Sequence, residues 1–152
     1  MYTPDEVAGI VDLFGALTRQ EAATALSELA YRTGDETASP EDAIDEALKA
    51  FALVELDDDV VAPGPVAFPT LPAGAEDLPH MLETDGRRVA RASIVEAAAD
   101  RLRTEAACAA TIGAGDRAET LLEVSYDLEA WGGPDLSGIR ARLDPVRDGT
   151  NY

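Results

Sequence analysis

The chain has 152 residues, 46% apolar and 5% aromatic, which gives one domain or two very small ones a real core and excludes a disordered tail. Acids outnumber bases 30 to 12 for a net charge of −18, and the bases are eleven arginines and one lysine, Lys49. One cysteine (Cys108) and one histidine (His80) exclude an internal disulfide, a thiolate cluster and a multi-histidine metal centre.

Three helix starts are written in the first half. Thr3-Pro4-Asp5-Glu6 is a capping box with proline at N1, and Val7, Ile10, Val11, Phe14 and Leu17 follow at helical spacing. Thr18-Arg19-Gln20-Glu21 is a second box, its stripe Ala22, Ala25, Leu26 and Leu29, its stop Gly34. Ser39-Pro40-Glu41-Asp42 opens a third helix carrying Ile44, Ala47, Leu48 and Phe51. The period then changes to two. Leu53–Leu56 and Val60–Ala62 flank Asp57-Asp58-Asp59 and predict a β-hairpin. Three helices followed by a hairpin is the order of a winged helix, which serves DNA binding and protein docking alike.

Five of the nine prolines fall between Pro63 and Pro79, so this stretch is expected to be neither helix nor central strand. Phe68, Leu71, Leu78, Met81 and Leu82 are too apolar for a free linker and predict an extended arm laid on the domain surface. A docked arm implies that Phe68→Ala costs about 3 kcal/mol. Farther on, Ser93-Ile94-Val95-Glu96 opens an alanine-rich helix with Ile94, Ala98, Leu102, Ala109 and Ile112 on its stripe, ending at Gly113. Asp116-Arg117-Ala118-Glu119 opens another, with Leu121, Leu122, Ser125 and Leu128 inward and Trp131 near its end. After Gly132-Gly133-Pro134 comes a short amphipathic piece, Asp135 to Leu143. The expected fold is mainly α: a winged-helix-like unit over 1–62, a proline-rich docked arm over 63–82, and a C-terminal helical hairpin within 83–152 packed on the first unit.

No constellation of catalytic groups emerges. Lys49 has no glycine-rich run before it, and Gly113-Ala114-Gly115 is a helix stop rather than a dinucleotide fingerprint. His80, in Leu78-Pro79-His80-Met81-Leu82, is read as a half-buried imidazole tying down the arm rather than a base, and Cys108 as a small core residue. Three adjacent aspartates in a tight turn lack the spaced ligands and glycine of a calcium loop and are read as a solvated turn. No metal, cofactor or catalytic residue is expected.

The arginines carry the alternative. Arg87, Arg88, Arg91, Arg101 and Arg103 meet five acids between Glu83 and Glu105, the pattern of a salt-bridged face. Arg87, Arg88 and Arg91 are nonetheless the candidate phosphate or nucleic-acid contacts. Against DNA, residues 1–80 hold 17 acids and three bases. The third helix offers Glu41, Asp42, Asp45 and Glu46 with one lysine, and the wing tip is three aspartates. The leading expectation is a non-enzymatic protein-interaction or regulatory module that binds another protein or itself, with Phe68, Leu71, His80 and Trp131 as its partner surface. A winged-helix DNA-binding regulator is the alternative, and an enzyme built around His80 ranks third.

An acid-rich, lysine-poor surface over an alanine-rich core is what a salt-accumulating cytoplasm selects, since at molar salt the Debye length falls to about 3 Å and self-repulsion fades. The opening residues have no basic and apolar signal-peptide pattern, and Val60–Ala75 is too short and too broken by proline to span a bilayer. A cytoplasmic protein without membrane contact is expected. The stretches Gly64-Pro65-Val66-Ala67-Phe68-Pro69-Thr70-Leu71-Pro72 to His80, Leu121-Leu122-Glu123-Val124-Ser125-Tyr126-Asp127-Leu128-Glu129-Ala130-Trp131, and Thr3 to Phe14 resemble a haloarchaeal family of unknown function. That resemblance implies a halophilic archaeal cytosol and transfers no activity or site residue.

Overall fold

The computed structural model describes residues 2–34, 39–82 and 84–149, and it is mainly helical with one small antiparallel sheet. The chain divides into two compact units, Met1–Ile94 and Val95–Tyr152.

In the first unit the elements run α1 (Pro4–Phe14), β1 (Leu17–Thr18), α2 (Arg19–Thr33), α3 (Pro40–Lys49), β2 (Leu53–Glu55) and β3 (Val60–Pro63). The helix starts are set by the expected caps. Thr3 and Thr18 each accept a hydrogen bond from the amide three residues on, and Glu6 and Glu21 return it. The apolar stripes follow: Val7, Ile10, Val11 and Phe14 of α1, Ala22, Ala25, Leu26 and Leu29 of α2, and Ile44, Ala47 and Leu48 of α3 are all buried. Gly34 closes α2 in the left-handed region, as a C-cap glycine does.

The β2–β3 hairpin forms as expected, closed by the Leu56 amide donating to the Val60 carbonyl (2.7 Å). Asp58 and Asp59 both adopt positive φ, the backbone a tight hairpin turn requires and one that aspartate tolerates. A third strand, β1, is an addition to the expected elements. It pairs Leu17 with Val61 and Thr18 with Val60, giving the strand order β1-β3-β2. Thr18 thus ends a strand and caps a helix at once, and Leu17 is a buried strand residue rather than the last residue of the α1 stripe.

Contrary to expectation, the proline-rich segment begins inside the middle strand: Pro63 ends β3 opposite Leu53, where β1 is too short to pair with its other side, and residues 67 to 72 then run without regular structure. The segment then turns helical, also contrary to expectation. Ala75–Asp77 form a 3₁₀ turn and Leu78–Met81 a single-turn helix, α4, in which Pro79 occupies a first-turn position where its missing amide costs nothing. Ala75 and Leu78 enter the core of the first unit, and Leu82 packs against it. Phe68 does not. It is 79% exposed and Leu71 47% exposed, so the buried apolar anchors of this segment are Ala75 and Leu78.

The segment lies close on α1. A Cβ on Gly9 would stand 2.0 Å from the Thr70 carbonyl oxygen. Alanine is ordinarily the better helix former by about 1 kcal/mol, yet here Gly9→Ala is expected to destabilise by about 2 kcal/mol because backbone must move. Chemical denaturation of the variant checks this, and a gain in stability would contradict it.

The second unit contains most of α5 (Arg91–Ile112), with α6 (Gly115–Ala130) and α7 (Ser137–Arg147). Leu121, Leu122, Ser125 and Leu128 are buried as their spacing indicates, and the last helix extends through Pro145 to Arg147. On α5, Ile94, Ala98, Leu102 and Ala109 are buried, but Ile112 is 70% exposed and Cys108 is exposed, which corrects their core assignments. Alanine occurs on every side of this helix, so its apolar pattern does not single out one inward stripe.

Candidate functional site

Asp5, in the first turn of α1, holds the proline-rich segment at two points. Its carboxylate accepts from the Phe68 amide (3.1 Å) and its carbonyl from the Thr70 amide (3.2 Å). The Phe68 and Thr70 amides are therefore used on the side facing α1, while the Phe68 side chain is left largely, and that of Leu71 about half, in solvent. His80, expected to be half-buried and to tie this segment down, is exposed on α4. Its neighbour Leu78 takes the buried position instead.

The three candidate phosphate-binding arginines divide. Residues 85–87 cross the C-terminal end of α1, where the Arg87 amide donates to the Phe14 carbonyl (3.0 Å). Glycines make the crossing possible: a Cβ on Gly86 would lie 1.9 Å from the Phe14 oxygen, and one on Gly15 2.4 Å from the Arg87 oxygen. The Arg87 side chain turns inward to Glu21 (2.8 Å), the same carboxylate that caps α2 by accepting from the Thr18 amide (2.9 Å). Arg88 and Arg91 are exposed, and Arg87 and Arg88 with Leu13, Phe14, Gly15 and Gly86 line a shallow depression of about 340 Å³.

Burial is the largest single influence on Glu21 and disfavours its charge, but the Thr18 amide and Arg87 guanidinium together outweigh it and hold the carboxyl below the ordinary glutamate range. A depressed folded-state pKa contributes stability that is complete above the ordinary value of about 4.3 and is lost as pH falls through the lower folded value. Melting temperatures of the wild type and Glu21→Gln are expected to differ most near neutral pH, the wild type being higher, and to converge in acid. A pH-independent gap would contradict this reading.

The exposed sides of α3 and of the hairpin turn are acidic. Glu41, Asp42, Asp45 and Glu46 of α3 and the three turn aspartates Asp57, Asp58 and Asp59 are all exposed. Arg19 is drawn onto this acidic face by ion pairs to Asp45 (2.6 Å) and Glu55 (3.3 Å). A groove of about 390 Å³ between α2 and α3 is lined by Arg19, Gln20, Thr24, Ser27 and Glu41 over Ala23 and Ile44. In the second unit Trp131 is half-buried and closes α6, its amide donating to the Asp127 carbonyl (3.0 Å). Arg140 of α7 joins that helix to α6, stacking 4.4 Å from the Tyr126 ring and pairing with Glu129 (3.1 Å). The Leu136 amide and this guanidinium hold the Glu129 carboxyl below its usual range.

The local sequence signals missed the Arg87–Glu21 pair and the exposed ring of Tyr31 in the first unit, and the Arg140 clamp and the exposed ring of Tyr126 in the second. The first joins residues 66 apart, beyond any local pattern. The expected salt bridging of Arg101 and Arg103 is present, to Glu105 and Asp100, and Glu105 also pairs with Arg117. Among the described residues no group of three or more histidine, cysteine, aspartate or glutamate side chains is placed to hold a metal ion, and no helix is long and apolar enough to cross a membrane.

Comparison with curated proteins and with solved structures finds no match. A model of a family of unknown function (DUF7109) matches residues 5–148, nearly the whole chain, and the protein belongs to that family.

Proposed function

We propose that this protein is a non-enzymatic protein-interaction or regulatory module of a salt-accumulating cytoplasm, its first unit a winged-helix-type scaffold used for docking. The observation that carries the reading is Phe68: a large aromatic side chain, 79% exposed, on a stretch whose backbone is fastened to α1. With Leu71, 47% exposed three residues on, it puts two large apolar side chains on one short stretch, which supports coverage by a partner. The winged-helix assignment is supported by the order helix, strand, two helices, two strands and by the strand order β1-β3-β2. The halophilic assignment is supported by the net charge of −18 with a single lysine.

The DNA-binding alternative is weakened by the same surfaces. In a winged helix the third helix and the wing approach the duplex, and here both present carboxylates. Of the arginine trio, Arg87 already neutralises Glu21. Affinity for DNA comes largely from neutralising phosphates, so this face supplies little of it. Fluorescence anisotropy with labelled duplex DNA tests the choice: no saturable binding is expected between 0.2 and 2 M potassium chloride. Saturable binding that weakens steeply with salt and is lost in Arg88→Ala would overturn the reading.

A further inference from the structure

The exposed apolar residues of the proline-rich segment are not placed at random. Phe68 precedes Pro69 and Leu71 precedes Pro72, so both belong to apolar–proline pairs three residues apart. Each proline fixes its own φ near −65°, and the residue before a proline is pushed to extended backbone. A polyproline II chain has three residues per turn, so the two pairs fall on one face of such a helix. Residues 67–72 form no helix, strand or turn, and Phe68, Pro69, Thr70 and Leu71 are all exposed.

Addition of this stretch as an edge strand to a partner sheet is disfavoured, because the Phe68 and Thr70 amides are already given to Asp5. What remains for recognition is the side-chain face. Polyproline II peptides dock in grooves walled by aromatic side chains, and a segment already tied down by two hydrogen bonds to Asp5 loses less entropy on binding. The surroundings set the partner's charge. Asp5 lies beneath the segment, exposed Glu76 and Asp77 follow it, and the whole chain carries −18. At high salt only charges in direct contact still interact, so a second copy would set the same carboxylates against Glu76 and Asp77 within the contact itself, whereas basic groups at the groove edge would pair with them there.

We infer that residues 68–72 are a preordered docking peptide, whose Phe68-Pro69 and Leu71-Pro72 pairs fill an aromatic-walled, basic-rimmed groove on a different protein. The inference rests on the protein-interaction reading, and its test separates the two. The photoreactive amino acid p-benzoylphenylalanine replaces Phe68 in the full chain and, in separate preparations, the exposed Tyr31 and Tyr126. Each is irradiated at high potassium chloride in lysate of the source cell, and adducts are mapped by mass spectrometry. The expected result is an adduct from position 68 within a groove of aromatic residues edged by lysine or arginine. Its yield should fall about tenfold, equivalent to about 1.4 kcal/mol, when Pro69→Ala and Pro72→Ala are combined with the probe. An adduct to a second copy of the chain, or to a surface without aromatic residues, would overturn the inference. So would an adduct unaffected by the proline changes. Adducts from position 31 or 126 alone would also sink it while sparing the interaction reading, and no adduct from any position would count against both.

Discussion

Transfer from about 3 M to about 0.1 M potassium chloride is expected to lower the melting temperature by more than about 10 °C, because the Debye length grows from under about 3 Å to about 10 Å and lets the acids repel one another. The arginines relieve this only locally. Arg19, Arg32, Arg101, Arg103, Arg117, Arg140 and Arg147 each pair with one or more nearby acids, as does Arg87. The net charge of −18 is left for solvent to screen. The solvent-exposed ones among these pairs are worth about 0–1 kcal/mol each, too little to offset repulsion summed over the surface. Thermal unfolding followed by circular dichroism across a salt series measures the effect. A melting temperature indifferent to salt would remove the halophilic assignment.

Leu78→Ala is expected to cost about 3 kcal/mol, and Phe68→Ala less than about 0.5 kcal/mol. Leu78 is fully buried in the core of the first unit, so its truncation leaves a cavity and loosens the segment that carries the proposed docking face. Phe68 is 79% exposed and has little burial to lose. Urea unfolding at fixed high salt compares the two. Equal losses would mean that Phe68 is packed in solution, and a negligible loss at Leu78 would mean that the segment is free. The contrast also separates roles: Leu78 anchors the segment, and Phe68 contributes little to stability, as the proposed recognition role requires.

Much of this fold is legible locally. Capping boxes act over three residues, so Thr3 with Glu6 and Thr18 with Glu21 announce their helices without help from the rest of the chain. The hairpin is equally local, its turn held between Leu56 and Val60. Features that depend on distant partners are not legible. A two-residue strand such as Leu17–Thr18 exists only because Val60 and Val61 arrive beside it. Arg87 reads as a candidate phosphate ligand until the fold brings Glu21 to it.

The proline-rich segment shows both limits. Its apolar content signals contact with a core, yet composition cannot say which residues turn inward. Geometry decides: the first-turn position of Pro79 lets a short helix form, and that helix buries Leu78 and leaves His80 in solvent. The alanine-rich α5 fails for a related reason. A helix with small residues on all sides carries a weak stripe, and Cys108 and Ile112 fall on its outer surface.

Binding of a protein by the exposed Phe68–Leu71 face, as proposed above, is open to direct measurement. Tagged wild type and the Phe68→Ala, Leu71→Ala double variant, matched in melting temperature, are to be compared by capture from source-cell lysate at high potassium chloride after nuclease treatment. A stoichiometric protein partner is expected with the wild type, and its loss in the variant. Equal capture by both, or a partner that disappears on nuclease treatment, would contradict that expectation.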